Sequence, residues 1–87
     1  MNVFWLLTTA IGSNGKHYGI TFEHDAASID DLSAKLVADE IIVGNQLLVT
    51  DDGRGGKLVK GRKPIAFTKL GIAAIMTYDY KCWEPET

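Results

Sequence analysis

The segment from Asp52 to Lys57 has the composition of a phosphate-binding loop. Its glycines would let backbone N–H groups approach an anion, and Arg54 and Lys57 supply positive charge. A P-loop, however, continues Gly-Lys with Ser or Thr at the start of a helix, and a dinucleotide-binding loop needs a further glycine. Leu58 occupies the position that decides both patterns. We therefore predict a glycine-rich hairpin loop here.

Positive charge is concentrated in what we call the basic segment, residues 54–69. It contains six basic residues and no acidic one: Arg54, Lys57, Lys60, Arg62, Lys63 and Lys69. Such residues contact nucleic-acid phosphates and release counterions. The formal net charge of −2 argues against this function, and Phe67 is the only aromatic residue among the basic ones. Nucleic-acid or anion binding by these six residues is therefore the alternative hypothesis.

Soft metal ligands are scarce. His17, His24 and Cys82 are the candidates. The two histidines are seven positions apart, so on one strand they point to opposite faces. Zinc sites need three or four converging ligands. The sequence therefore predicts no metal site and no cofactor.

The residue types needed for catalysis have simpler structural explanations. The paired carboxylates are Asp30-Asp31, Asp39-Glu40 and Asp51-Asp52. By position they open a helix, lie near its end and start a turn. Cys82 next to Trp83 is typical of a small buried or interfacial residue. The sequence thus favours a protein without enzymatic activity, with a small-ligand enzyme as the third hypothesis.

Length and composition are those of one small globular domain. The 87 residues are 46% hydrophobic and 23% charged, which excludes both a disordered and a membrane-like chain. The single cysteine implies no disulfide and no oxidising compartment, and no apolar run is long enough to span a bilayer. These features predict a cytoplasmic location.

The first 24 residues predict a β-hairpin. Two apolar runs flank Ser13-Asn14-Gly15-Lys16, and Asn-Gly is the strongest short-range signal for a two-residue type I′ turn. That turn would place Leu7 opposite Phe22. The predicted core face then consists of Trp5, Leu7, Ile11, Tyr18, Ile20 and Phe22. Phe4 and Leu6 would lie on the opposite face.

A helix follows the hairpin, at about residues 28–40. Ser28 is a good N-cap, and the acidic residues after it favour the positive end of the helix dipole. Ile29, Leu32 and Leu36 form an apolar stripe that we expect to pack on the hairpin. An end near Asp39 is favoured because the β-branched residues 41–43 suit a strand, although Gly44 could cap a longer helix.

The second half of the chain predicts more strands. We expect them at about 46–51, 57–60 and 71–82, with a polar tail at 84–87. Residues 60–64 contain Gly61 and Pro64 and predict a break, whereas 65–70 has no clear assignment. The whole chain, 1–87, then forms a single α+β domain of ββαβββ order, a mainly antiparallel sheet of four or five strands with one helix on one face.

One helix covers only one face of such a sheet, so the second face needs another cover. The candidate surface residues are Phe4, Leu6, Tyr78, Tyr80 and Trp83. A second copy of the chain would bury them, and symmetric dimers are the commonest oligomers; the alternative cover is the segment 65–70. The sequence favours a small binding or accessory protein that acts as a homodimer.

Overall fold

The computed structural model describes residues 1–85, and the end of the predicted tail, 86–87, lies outside them. The chain forms β1 (Asn2–Ile11), β2 (His17–His24), α1 (Ile29–Asp39), β3 (Ile41–Asp51), β4 (Lys57–Thr68), a short 3-10 turn (Lys69–Gly71), β5 (Ile72–Thr77) and β6 (Cys82–Trp83). Within the described residues, one α-helix packs on a six-stranded sheet of order β5-β1-β2-β3-β4-β6. The pairs are antiparallel except β4–β6, which is parallel. An α+β fold is confirmed.

The first hairpin forms, but with a different turn. The N–H of Gly15 donates to Gly12 O, and the N–H of Gly12 donates to Lys16 O. Gly15 is left-handed at φ 77°, whereas Asn14 does not have a positive φ. A type I′ turn needs a positive φ at both central residues, so the prediction of that turn is wrong. The loop instead has three residues, with glycine at the left-handed position.

The register of this hairpin changes as a result. The longer loop and a bulge in β1 between Leu7 and Ile11 together shift the register by three residues. Phe22 therefore pairs with Phe4 instead of Leu7. An odd shift turns every side chain to the other face. Phe4 and Leu6, 4% and 0% exposed, are therefore core residues, and the prediction that Trp5 and Leu7 form the core face is wrong.

We call the two sides of the sheet the helix face and the cleft face. The helix face holds the main core, made of Phe4, Leu6, Phe22, Ala26, Leu32, Leu36 and Ile42. The helix contributes Leu32 and Leu36 to it, as the apolar stripe predicts. Ser28 Oγ accepts from the N–H of Asp31, and Glu40 ends the helix with φ 61°. The end at Asp39 is confirmed, and residues 41–43 are extended.

β3 and β4 are longer than predicted: β3 begins at Ile41 and continues through Gly44, and the break predicted at 60–64 does not occur in β4. β4 continues to Thr68, with a bulge where Leu48 pairs with Gly61 and Val49 with Val59. β6 pairs only with Lys57 and Leu58, so the rest of β4 is an edge strand. Proline is tolerated on an edge, where no neighbouring strand needs its N–H. Pro64 therefore does not end the strand.

The predicted strand 71–82 is in fact two strands on opposite edges of the sheet. Residues 78–81, which we call the strap, join β5 to β6. The strap runs over the cleft face, where Tyr78 stacks on Trp5 with 6.3 Å between ring centres. Part of the second face is thus covered by this chain itself, and not by 65–70, which lies mainly in β4. Among residues 1–85 no helix has the length and apolarity that a membrane crossing requires.

Candidate functional site

The most site-like feature of the described chain is a cleft between the sheet and the strap. We call it the aromatic cleft; its volume is about 590 Å³, and it is lined by Trp5, Thr21, Val49, Lys57, Met76, Thr77, Tyr78, Asp79 and Tyr80. Three of these side chains are aromatic. Lys57 and Asp79 add one charge of each sign. Such a mixture of apolar walls and a few polar groups is typical of ligand sites.

Trp5 owes its position to a glycine on the neighbouring strand. Its indole lies directly against the backbone of Gly19, where a Cβ atom would overlap the ring. Tyr78 stacks on Trp5, and the rings of Tyr78 and Tyr80 are centred 5.5 Å apart. The strand therefore fixes one ring, and the strap brings two more to it.

Lys57, the first residue of β4, contacts the strap through its ammonium group. Its Nζ is 2.6 Å from Asp51 Oδ1 and 4.6 Å from the centre of the Tyr80 ring. The hydrogen bond to Asp51 raises the pKa of Lys57, so the ammonium stays charged. A cation over an aromatic face is attracted by the ring quadrupole. This contact holds Tyr80 at the rim of the cleft, where the residue is 50% exposed.

A second polar feature is an ionic network centred on the buried Glu23. Glu23, whose side chain is 12% exposed, accepts hydrogen bonds from Arg62 Nε at 3.1 Å and from Asn45 Nδ2 at 3.2 Å. Arg62 also donates to Glu84, which lies after β6. Both bonds raise the pKa of Arg62, and the guanidinium lowers the pKa of Glu84. Glu84, predicted as polar tail, is thus bound to the sheet.

The glycine-rich segment 52–57 is a hairpin loop, as predicted. Asp52 Oδ1 accepts from the N–H of Arg54 at 2.7 Å and of Gly56 at 3.0 Å, and these bonds lower the pKa of Asp52. Backbone N–H groups that a phosphate would need are therefore occupied by the chain's own carboxylate. A second, smaller cleft opens beside this loop, lined by Asp52, Arg54, Gly55, Gly56, Leu58, Lys81 and Trp83.

The six basic residues predicted to contact nucleic acid fall into two groups, those paired with a carboxylate of this chain and those without such a pair among the described residues. Three of the six residues form ion pairs: Lys57 pairs with Asp51, Arg62 pairs with both Glu23 and Glu84, and Lys69 pairs with Glu40. For Arg54, Lys60 and Lys63 the described residues provide no such pair, and all three are exposed. Acidic residues of the same chain thus neutralise half of the basic set.

The predicted interface residues are also separated. Phe4 and Leu6 are core residues and are not available to a partner, because the shifted register turns them under the helix. Tyr78 is half-buried in the aromatic cleft, and Tyr80 lies at its rim. Trp83 is 46% exposed and lies in the second cleft, with Lys81 Nζ 4.1 Å from its ring centre. Sequence reasoning missed Trp5 as a cleft residue, because it placed Trp5 in the core.

The residues considered for metal binding or catalysis are dispersed. His17 Nδ1 donates to Thr8 O, and His24 Nδ1 accepts from the N–H of Ala26. Burial raises the pKa of the Cys82 thiol, which is the opposite of what a nucleophilic cysteine needs. None of the three lines the aromatic cleft or the second cleft. Among residues 1–85, no group of three His, Cys, Asp or Glu side chains converges on a point that could hold a metal ion.

Comparison with known proteins supplies no further guide, since no family model, curated protein or solved structure matches this chain.

Proposed function

We propose that the protein is a small cytoplasmic binding protein that acts as a homodimer and holds its ligand in the aromatic cleft. The observation that carries this proposal is the array of Trp5, Tyr78 and Tyr80 around an open cleft of about 590 Å³. Rigid aromatic rings bury a large area on binding at little cost in conformational entropy. The lone, half-buried Cys82 supports a reducing compartment.

The cleft suits an apolar or aromatic ligand better than a polyanion. Its two charges are Lys57 and Asp79, and Lys57 is already paired with Asp51. A polyanion would gain little there, because affinity for phosphates grows with the number of unpaired cations. Trp5 and Tyr80 are held in place before binding by Gly19 and Lys57. Such preorganisation reduces the cost of ordering the site.

Nucleic-acid binding stays the alternative, and one observation favours it. Arg54, Lys81 and the exposed ring of Trp83 meet in the second cleft, where a base could stack while a phosphate contacts the cations. Asp52 lies in the same cleft and accepts from Arg54. This carboxylate offsets part of the positive charge, so we rank this function second.

The two tryptophans allow one experiment to separate the two functions. Trp5 is the indole of the aromatic cleft, and Trp83 is the indole of the second cleft. In two-dimensional NMR of the ¹⁵N-labelled protein, each gives one indole N–H signal, assigned with Trp5→Phe and Trp83→Phe. We expect anilinonaphthalene sulfonate, an aromatic probe, to shift the Trp5 signal, and single-stranded oligothymidylate to shift neither.

Two tyrosines provide the matched control. Tyr80→Ala removes a rim ring and should weaken probe binding about tenfold. Tyr18→Ala removes a similarly exposed ring from the hairpin, away from the cleft, and should leave binding unchanged. An unmoved Trp5 signal at saturating probe overturns the proposal. A salt-sensitive shift of Trp83 with oligothymidylate, lost in Arg54→Glu, establishes the alternative.

A further inference from the structure

β5 leaves one side of the sheet open. It is the terminal strand, and β1 is its only hydrogen-bonded neighbour among residues 1–85. Its sequence, Ile-Ala-Ala-Ile-Met-Thr, contains no charge, no proline and no glycine. Every second residue of an edge strand directs its N–H and C=O away from the sheet. β5 is therefore a template for one more strand.

The opposite edge of the sheet is protected in the way that natural proteins protect edges. The exposed part of β4 carries Lys60, Arg62, Lys63 and Pro64, and it contains a bulge at Gly61. Charged residues, proline and bulges all disfavour the addition of a strand. β5 also has a bulge, at Ala73, because Leu7 pairs with Ala74 and Thr8 with Ile72, but residues 74–77 pair regularly and carry neither charge nor proline. The chain thus protects the β4 edge more strongly than the β5 edge.

We propose that β5 pairs with β5 of a second copy, in antiparallel orientation, to form one continuous sheet across the dimer. The inference rests on the homodimer proposed above and specifies the surface that forms it. A strand that pairs with itself about a two-fold axis is matched in length and chemistry, as an isologous interface requires. The regular residues 74–77 of two copies can form about four backbone hydrogen bonds in this way.

Apolar side chains on both faces of β5 support such pairing. Ile72 and Ile75 pack against the main core on the helix face. Met76 lines the aromatic cleft on the other face and is 38% exposed. Leu70, next to β5, is 82% exposed. A partner strand would cover these groups and extend the core of each copy into the other.

Pairing at β5 would also bring the two ligand sites together. Met76 pairs with Trp5 across the β1–β5 ladder and lines the same cleft. With β5 at the centre of the dimer, the two aromatic clefts lie on one sheet on either side of the two-fold axis. The partner strand then forms a wall next to each cleft.

The test places a lysine on each edge in turn. Ala73 is an exposed residue of β5, and Ala66 is an exposed residue of the open part of β4. Lysine is the residue most used to block strand addition. In sedimentation equilibrium we expect Ala73→Lys to raise the dimer dissociation constant at least tenfold, and Ala66→Lys to leave it unchanged. Circular dichroism of both variants verifies folding.

Hydrogen exchange gives a second measurement on the unmodified protein. Dilution below the dissociation constant should speed the exchange of outward amides in residues 72–77 and not of those in residues 60–68. A wild type that is monomeric at millimolar concentration overturns both the homodimer and this interface. A dimer that Ala73→Lys leaves intact, with exchange in 72–77 independent of dilution, overturns this interface alone. A complex of β5 with a different protein and no self-association likewise overturns the self-pairing.

Discussion

At the scale of single residues, Trp5 and Gly19 decide where the aromatic cleft lies. The indole occupies the space that a side chain at position 19 would need, so the backbone of β2 forms the floor beneath the ring. Tyr78 then stacks on the indole. A tryptophan fixed in this way presents a defined surface to a ligand, because it has few other rotamers available.

Gly19→Ala should displace Trp5. The new Cβ overlaps the indole, and relieving such overpacking costs about 1–3 kcal/mol of unfolding free energy. Urea denaturation would measure the loss, and the Trp5 indole signal in NMR would report the movement of the ring. Gly61→Ala is the matched control, because its Cβ would meet only Leu48 Cδ1, at 3.7 Å. Equal stabilities for the two variants would show that position 19 has room for a side chain.

Position 19 also shows why the site could not be predicted from the sequence. In the observed register Gly19 pairs with Leu7, and Trp5 lies diagonally across from it. A glycine is needed at position 19 because the Trp5 indole occupies the space of a side chain there. The Asn-Gly turn gave a register three residues away, in which Trp5 belonged to the core. A single error in the loop length thus moved the aromatic residue from the site to the interior.

At the scale of elements, turns and caps formed from local contacts were the most predictable. Ser28 caps α1 through a hydrogen bond to a residue three positions away. The loop 52–57 is closed by Asp52 within four residues. Interactions of this range are encoded by residue type and spacing. The length of β4, by contrast, depends on its place at the edge of the sheet, which sequence patterns do not report.

The loop closed by Asp52 should be sensitive to acid. The N–H groups of Arg54 and Gly56 lower the pKa of Asp52 by binding its ionised form. Asp52 therefore stabilises the fold above the pKa of about 3.9 of an unfolded aspartate, and this contribution is lost as the pH falls through the lower, folded pKa. Asp52→Asn keeps an oxygen acceptor but cannot titrate.

The prediction is that the wild type loses stability relative to Asp52→Asn as the pH falls below about 4. Urea unfolding at a series of pH values, at constant ionic strength, measures the difference between the two proteins. Parallel pH profiles for the two would show that the loop amides do not favour the charged carboxylate.

At the scale of the whole molecule, the fold consists of two strand groups joined by a short seam. β2 and β3 share the register pairs Phe22–Gln46 and Glu23–Asn45. Arg62 and Asn45 reinforce this seam through their bonds to Glu23, and Arg62 links it to Glu84. The fold class was predictable from the strand and helix patterns, but contacts between residues as distant as Glu23 and Arg62 were not.

Arg62→Met should therefore weaken the whole fold. It leaves the Glu23 carboxylate buried with Asn45 as its partner. Removing one member of a buried ion pair lowers the free energy of unfolding by about 3–5 kcal/mol. We expect a smaller loss here because the Arg62 side chain is 39% exposed. The double variant Glu23→Gln, Arg62→Met should regain much of that loss. Lys69→Met, which removes the exposed pair with Glu40, should cost below about 1 kcal/mol. Additive effects in the double-mutant cycle would contradict coupling at the seam.

The strap imposes a curvature on the sheet. From β5 to β6 there are five inter-strand spacings, which amount to about 24 Å across a flat sheet. The five residue steps from Thr77 to Cys82 reach about 18 Å at most. The sheet must therefore bend toward its cleft face, like an incompletely closed barrel, and the bulges in β1 and β4 give the strands the means to do so. The number of strap residues thus sets the width of the cleft mouth.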